Sequence, residues 1–197
     1  MFRSALTAML FLGLVAGQSA LAQSSDAVAL AQTPPQPNDC VTQAANYHGV
    51  SSWVLRGIIQ VESRFNPQAM NKNSNGTVDM GIAQINSMHL KELATHGIGP
   101  KDLMNACVAS YVAAWHLKKQ IKAYGNTWFA VGAYHSTTKC FNERYASLVW
   151  NELRNWRVVD GPKLRAVPLS TCSPKAQQAQ KSNDSSRGSG NIAFDQP

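Results

Sequence analysis

Apolar positions in the middle of the chain recur three and four residues apart, the period of one buried face of an α-helix. Val41 to His48 reads as a first helix closed by Gly49. Ser51 or Ser52 can cap a second helix running towards Arg64. On that helix Val54, Ile58, Val61 and Phe65 form one apolar stripe, and Asn66-Pro67 stops it because the residue before proline resists the helical region. Residues 68–79 read as a polar loop, followed by Gly81-Ile82-Ala83-Gln84-Ile85-Asn86. A long helix is predicted from Asn105 to Tyr124, with Cys107, Tyr111, Ala114, Trp115 and Ile121 inward and Gly125 as its stop. Trp128 to Tyr134 reads as a further helical stretch, and Tyr145, Leu148, Val149, Leu153 and Trp156 mark the inner face of a last helix. The pattern is that of one mainly α domain over residues 39–157, with no internal repeat.

The ends have a different character. Arg3, an apolar run from Ala5 to Ala16 and then Ala20-Leu21-Ala22 form the pattern of a signal peptide over residues 1–22. The run is shorter than the roughly 20 residues a stable span needs. No later segment is long and apolar enough to cross a bilayer, so the mature protein is expected to be soluble and exported to the periplasm. Residues 23–38 read as a flexible leader. Residues 158–197 read as a C-terminal extension, too polar after 173 to repay its ordering entropy.

Eighteen Lys and Arg against 11 Asp and Glu give a formal charge of +7. A basic exported chain could meet nucleic acid, anionic lipid or the anionic cell wall. The basic residues are scattered, which favours a solvated surface over a nucleic-acid groove, and charge alone decides nothing further. The four cysteines, Cys40, Cys107, Cys140 and Cys172, favour disulfides in an exported chain and allow three pairings. No two have C-x-x-C spacing, and His48, His89, His96, His116 and His135 form no compact ligand motif, so neither a metal nor another cofactor is expected. The five tryptophans read mainly as core, with one or two bordering a groove.

Glu62 stands out on physical grounds. It lies one step off the apolar stripe, near the end of its helix. Partial desolvation and the helix dipole both disfavour its anion, raise its pKa and suit it to general-acid work. The same local evidence also fits a surface glutamate paired with Arg56 or Arg64.

Three blocks in order, Glu62-Ser63-Arg64-Phe65-Asn66-Pro67, Gly81 to Asn86 and Ala130-Val131-Gly132-Ala133-Tyr134, resemble the lytic transglycosylase family over about Cys40 to Trp150. The resemblance is strongest to small single-domain members that accompany secretion, conjugation and pilus machines. It implies a lysozyme-like α+β fold and peptidoglycan glycan strands as substrate. It makes Glu62 the sole catalytic acid and base, with Ser63, Gly81, Gln84, Asn86 and Tyr134 around the substrate. Ser63 would support the helix end, Gly81 would let backbone approach a ligand, Gln84 would contact sugar, and the Tyr134 hydroxyl would point at the reacting centre. Ile82-Ala83 replaces the usual Leu-Met, so the smaller Ala83 could widen a subsite. His135-Ser136-Thr137 replaces Asn-Ala-Gly, so the asparagine's role is not carried onto His135. The resemblance also implies a Cys40–Cys107 bridge, with Cys140–Cys172 as the remaining pair. Asp79 reads as a structural residue bonding loop amides. The rival enzyme reading is a lysozyme-type hydrolase in which Asp79 holds water. A non-catalytic peptidoglycan-binding protein would have no need of Glu62.

Overall fold

The computed structural model describes residues 39–172. The segments expected to be a signal peptide and a leader, and the tail from 173 onward, lie outside the described residues. The ordered elements run α1 (Cys40–His48), α2 (Ser52–Ser63), β1 (Met70–Lys72), β2 (Val78–Met80), β3 (Ile85–Asn86), α3 (Leu90–Ala94), α4 (Ala106–Tyr124), α5 (Trp128–Ala133) and α6 (Lys139–Asn155). Short 3-10 turns precede α3 and α4 and close the described segment at Leu169–Cys172. No described helix is long and apolar enough to cross a membrane.

Ser51, expected as a cap, caps α2, and Asn105, expected as the first residue of the long helix, is instead its N-cap. Ser51 Oγ accepts from the Val54 amide and Asn105 Oδ1 accepts from the Cys107 and Val108 amides, meeting N–H groups that the first turn leaves unpaired. Gly49 closes α1 in the left-handed region. Arg64 ends α2 at φ 55°, and Phe65 follows at φ 62°. That reversal turns Phe65 off the stripe. It is 39% exposed, so the buried face of α2 is Leu55, Ile58 and Ile59, flanked by Val54 and Val61.

Helix α4 presents a different face from the one expected. Ala109, Val112, Ala113, Ala114 and Leu117 are buried, whereas Tyr111, Trp115 and Ile121 are half-buried. The helix packs on α1, α2, α5 and β3, so several sides carry small apolar residues and a single narrow stripe misplaces its centre. The five tryptophans are likewise half-buried and not central. Trp128 packs edge-on against Trp150, and Trp53 tilts against Trp156.

Helices α2 and α6 pack closely because α2 carries Gly57 at the crossing. A Cβ there would sit 3.0 Å from Val149 Cγ1 and 3.3 Å from Leu153 Cδ2. This approach brings the C-terminal end of α2, with Glu62, beside the middle of α6.

The polar stretch between α2 and α3 holds a three-stranded antiparallel sheet in the order β1-β2-β3, with Asn71 opposite Asp79 and Asp79 opposite Asn86. Sequence reading had part of it as loop. Its strands are only two or three residues long, too short for the alternation in Val78-Asp79-Met80 to stand out, although Met80 and Ile85 are buried in the core.

Both disulfides are closed. Cys40–Cys107 ties α1 to α4, and Cys140–Cys172 ties the start of α6 to the end of the described chain. Such bridges are consistent with an exported chain. After Trp156 the backbone returns along α6. Asn151 exchanges two hydrogen bonds with the Leu164 backbone, Trp150 Nε1 donates to Pro162 O, and Arg144 Nη1 donates to Val167 O. Residues 158–172 therefore form a strap on the domain.

Candidate active site

Glu62 opens onto a cleft of about 790 Å³ between the sheet and the α5–α6 corner. Gln84, Asn86, Asp79, Tyr134 and His135 share that cleft. Arg56 does not pair with Glu62, since it forms an ion pair with Asp39, the N-cap residue of α1. The Glu62 carboxyl instead accepts a 2.6 Å hydrogen bond from Tyr145 Oη.

Burial pushes the Glu62 carboxyl up to about 7; the Tyr145 hydrogen bond pulls it down and the Asp79 charge raises it further. Burial and the neighbouring glutamate hold the Tyr145 phenol well above its usual value, so it remains a proton donor. With Oε1 occupied by that donor, Oε2 is the oxygen free to carry a transferable proton. A carboxylic acid with a pKa near the working pH suits protonation of a leaving oxygen.

Tyr145 is the functional residue that sequence reading missed. Its ring stacks on His135 at 5.1 Å and on Tyr134 at 6.2 Å, and its helical spacing with Val149 marks it as core. The one available signal was a phenol on an apolar face, because a buried tyrosine hydroxyl needs a partner.

The other expected site residues take varied places. Ser63 Oγ donates to Ile82 O at 2.7 Å and accepts from the Asn66 amide, joining the end of α2 to the following turn. Ser63 is thus a brace and not a cleft residue. Gly81 has φ 72°, and a Cβ there would lie 1.9 Å from Leu103 O. The glycine makes room for the protein's own backbone, not for a ligand. Ala83 is fully buried, so its small size does not widen a subsite. Gln84 adopts φ 47° and its amide nitrogen donates to Ala69 O and Gly81 O, which pins a left-handed turn at the cleft wall. The Tyr134 hydroxyl donates to Ala83 O at 3.0 Å, and its ring lines the cleft with Glu62, whose charge, after burial, raises the phenol's pKa.

Asp79 lies in the same cleft, cradled by side-chain amides. Asn86 Nδ2 donates to one oxygen at 2.7 Å, and Asn73 and Asn71 donate to the other at 2.9 and 3.4 Å. Asn86 also bonds Thr77 Oγ1 and caps the following turn. The amides that Asp79 bonds belong to side chains across the sheet, not to loop backbone.

Three histidines line the cleft. His116 Nε2 bonds Tyr134 O, so that nitrogen carries the proton, and burial pushes the imidazole down to about 4. His135 is lowered by burial, and the Asp79 charge partly opposes this. No tryptophan lines the cleft. Among the described residues no group of three or more His, Cys, Asp or Glu is arranged to hold a metal.

The cleft architecture agrees with comparisons to known proteins. Residues 39–153 match the family described as Transglycosylase SLT domain. The chain is 38% identical over 121 residues to Invasion protein IagB of Salmonella typhimurium strain SL1344, covering 59% of this chain and 76% of the relative. It is 39% identical over 101 residues to Protein IpgF of Shigella flexneri, covering 51% and 66%. It is 35% identical over 142 residues to an X polypeptide of Escherichia coli, covering 68% and 84%. The chain belongs to the transglycosylase SLT family, with a lysozyme-like helical domain, and is a lytic transglycosylase-type enzyme acting on peptidoglycan.

Proposed function

We propose that the protein cleaves the β-1,4 bond between N-acetylmuramic acid and N-acetylglucosamine and leaves a 1,6-anhydro muramyl end. The observation that carries this reading is Glu62, an acid poised at about 7 at the wall of an open cleft. Glu62 gives its proton to the glycosidic oxygen as the C1–O bond breaks. The substrate's acetamido group supports the positive charge developing at C1. The Glu62 carboxylate then takes the proton of the muramyl C6 hydroxyl as its oxygen bonds C1. The acid is restored and no water is consumed. A hydroxyl tethered to the same ring competes with water through an effective molarity on the order of 10⁵ M.

Residues 1–22 act as the signal peptide in this account, residues 23–38 as a leader, and the enzyme works in the periplasm. Its biological task is to open the wall locally for an envelope-spanning secretion or conjugation apparatus. The small-domain resemblance and a relative named as an invasion protein support that task.

A second reading, hydrolysis, draws on Asp79. Its carboxylate shares the cleft and acts electrostatically on Glu62. Ordinary glycosidases use two carboxyl groups in this way. Digestion of sacculi in ¹⁸O-water separates the two. Transglycosylation gives unlabelled anhydro ends, each lighter by one water, and an Asp79→Asn enzyme that keeps substantial activity. Labelled reducing ends as the main product, with a folded but inactive Asp79→Asn variant, would select hydrolysis.

A further inference from the structure

A second pocket, of about 210 Å³, lies against Glu62. Glu62 and His135 line it as well as the main cleft. Its other walls include Phe141, Arg144 and Leu148 from α6, and Leu169 from the strap. The pocket therefore exists in this form because residues 158–172 fold back along α6 and are stapled by Cys140–Cys172. The strap lies beyond residues 39–153, the span that matches the family.

The chemistry of the walls is mixed. Phe141, Leu148 and Leu169 offer apolar surface, and Leu169 is 60% exposed at the lip. Arg144 contributes the charge. One of its nitrogens is held by Val167 O at 2.6 Å, which fixes the guanidinium against the strap. Among the described residues the ion pairs are Arg56–Asp39, Lys119–Glu92 and Lys139–Glu143, so Arg144 faces the pocket without a carboxylate partner. A fixed guanidinium has further N–H donors in a geometry that matches a carboxylate.

We infer that this pocket receives the lactyl-linked stem peptide of the muramyl residue at the cleavage point. Arg144 pairs with a peptide carboxylate, and Phe141, Leu148 and Leu169 cover its alkyl groups. The assignment rests on the glycan-cleaving reading above. Because Glu62 and His135 line both cavities, a glycosidic bond bound at Glu62 in the cleft lies at the mouth of this pocket, where the substituent of the adjacent muramyl ring can enter it. A peptide carboxylate supplies the missing partner of Arg144, which a bare sugar ring does not.

The test compares initial rates of the full chain on glycan strands with intact stem peptides and on strands stripped of peptide by an amidase. The wild type should prefer peptide-bearing strands by about 10-fold or more in kcat/KM, as expected for a charge-assisted hydrogen bond. Arg144→Ala should bring that ratio close to one. Because Arg144 also holds the strap, Leu169→Asp and Leu169→Lys provide a second arm at an exposed position. The Asp variant should lower the ratio and the Lys variant should not. Equal kcat/KM on both substrates for the wild type, or a ratio unmoved by Arg144→Ala and Leu169→Asp, overturns the assignment while leaving glycan cleavage intact. Failure of the wild type to cleave either substrate overturns the functional reading and this assignment with it.

Discussion

Tyr145 Oη donates to Glu62 Oε1 at 2.6 Å, linking the middle of α6 to the end of α2 across 83 positions of sequence. The bond acts against burial. Desolvation raises the Glu62 carboxyl to about 7, and the phenol lowers it. Tyr145→Phe should therefore raise the Glu62 pKa. The descending limb of kcat/KM against pH reports the acid of the free enzyme, so it should move to higher pH. A tyrosine that merely filled space would lower the rate at every pH without moving the limb. A pH–rate profile of the Phe variant distinguishes the two.

Elevation of an acid's pKa on folding has a definite sign for stability. Between the unfolded value of 4.5 and about 7 the native state holds the Glu62 proton more tightly than the unfolded chain does. Stability contributed through this group is thus full below 4.5 and falls as pH rises to 7, by about 3 kcal/mol at most. Glu62→Gln should be the more stable protein at pH 8 and lose that advantage near pH 4. Paired thermal melts at the two pH values check this, and equal shifts at both would show that the carboxyl carries no such penalty.

The turn that carries Gln84 depends on Gly81. Its φ of 72° and the 1.9 Å approach that a Cβ would make to Leu103 O leave no room for a side chain. Gly81→Ala combines a strained backbone with a clash against main chain and should cost about 3 kcal/mol or more. Chemical denaturation of the variant measures the loss.

Each disulfide closes a long loop, with separations of 67 and 32 residues. Chain-entropy arguments put their contributions at about 4 kcal/mol each. Replacing Cys140 and Cys172 by serine should lower the melting temperature by several degrees and open the strap to protease near residues 158–172. An unchanged melting temperature and cleavage pattern would show that Asn151 and Trp150 hold the strap without the bridge.

Much of the scaffold was legible in the chain because its signals are local. Ser51 and Gly125 bound helices as a cap and a stop, and α6 shows its face in the spacing of Tyr145, Val149 and Leu153. The catalytic candidate was legible for a related reason, since Glu62 sits at the margin of a stripe. The rest depends on contacts distant in sequence. Nothing in α6 says that the Tyr145 hydroxyl meets Glu62 while that of Tyr134 turns to Ala83 O. The sheet escaped notice because its strands are two or three residues long and Asn71, Asn73, Asp79 and Asn86, polar residues that read as loop, bond one another across it. Phe65 fitted the helical period but lies beyond Arg64, where the backbone reverses.

Glu62 as the acid is the claim on which the chemistry depends. Its most direct test is the rate at which purified Glu62→Gln solubilises sacculi, measured beside the wild type with near-ultraviolet circular dichroism as the check on folding. The amide preserves an acceptor for Tyr145 but has no proton to give. The account predicts an intact fold and loss of strand cleavage by at least about 10²-fold, the usual contribution of a positioned general acid. A folded Gln variant that clears sacculi at close to the wild-type rate would contradict it.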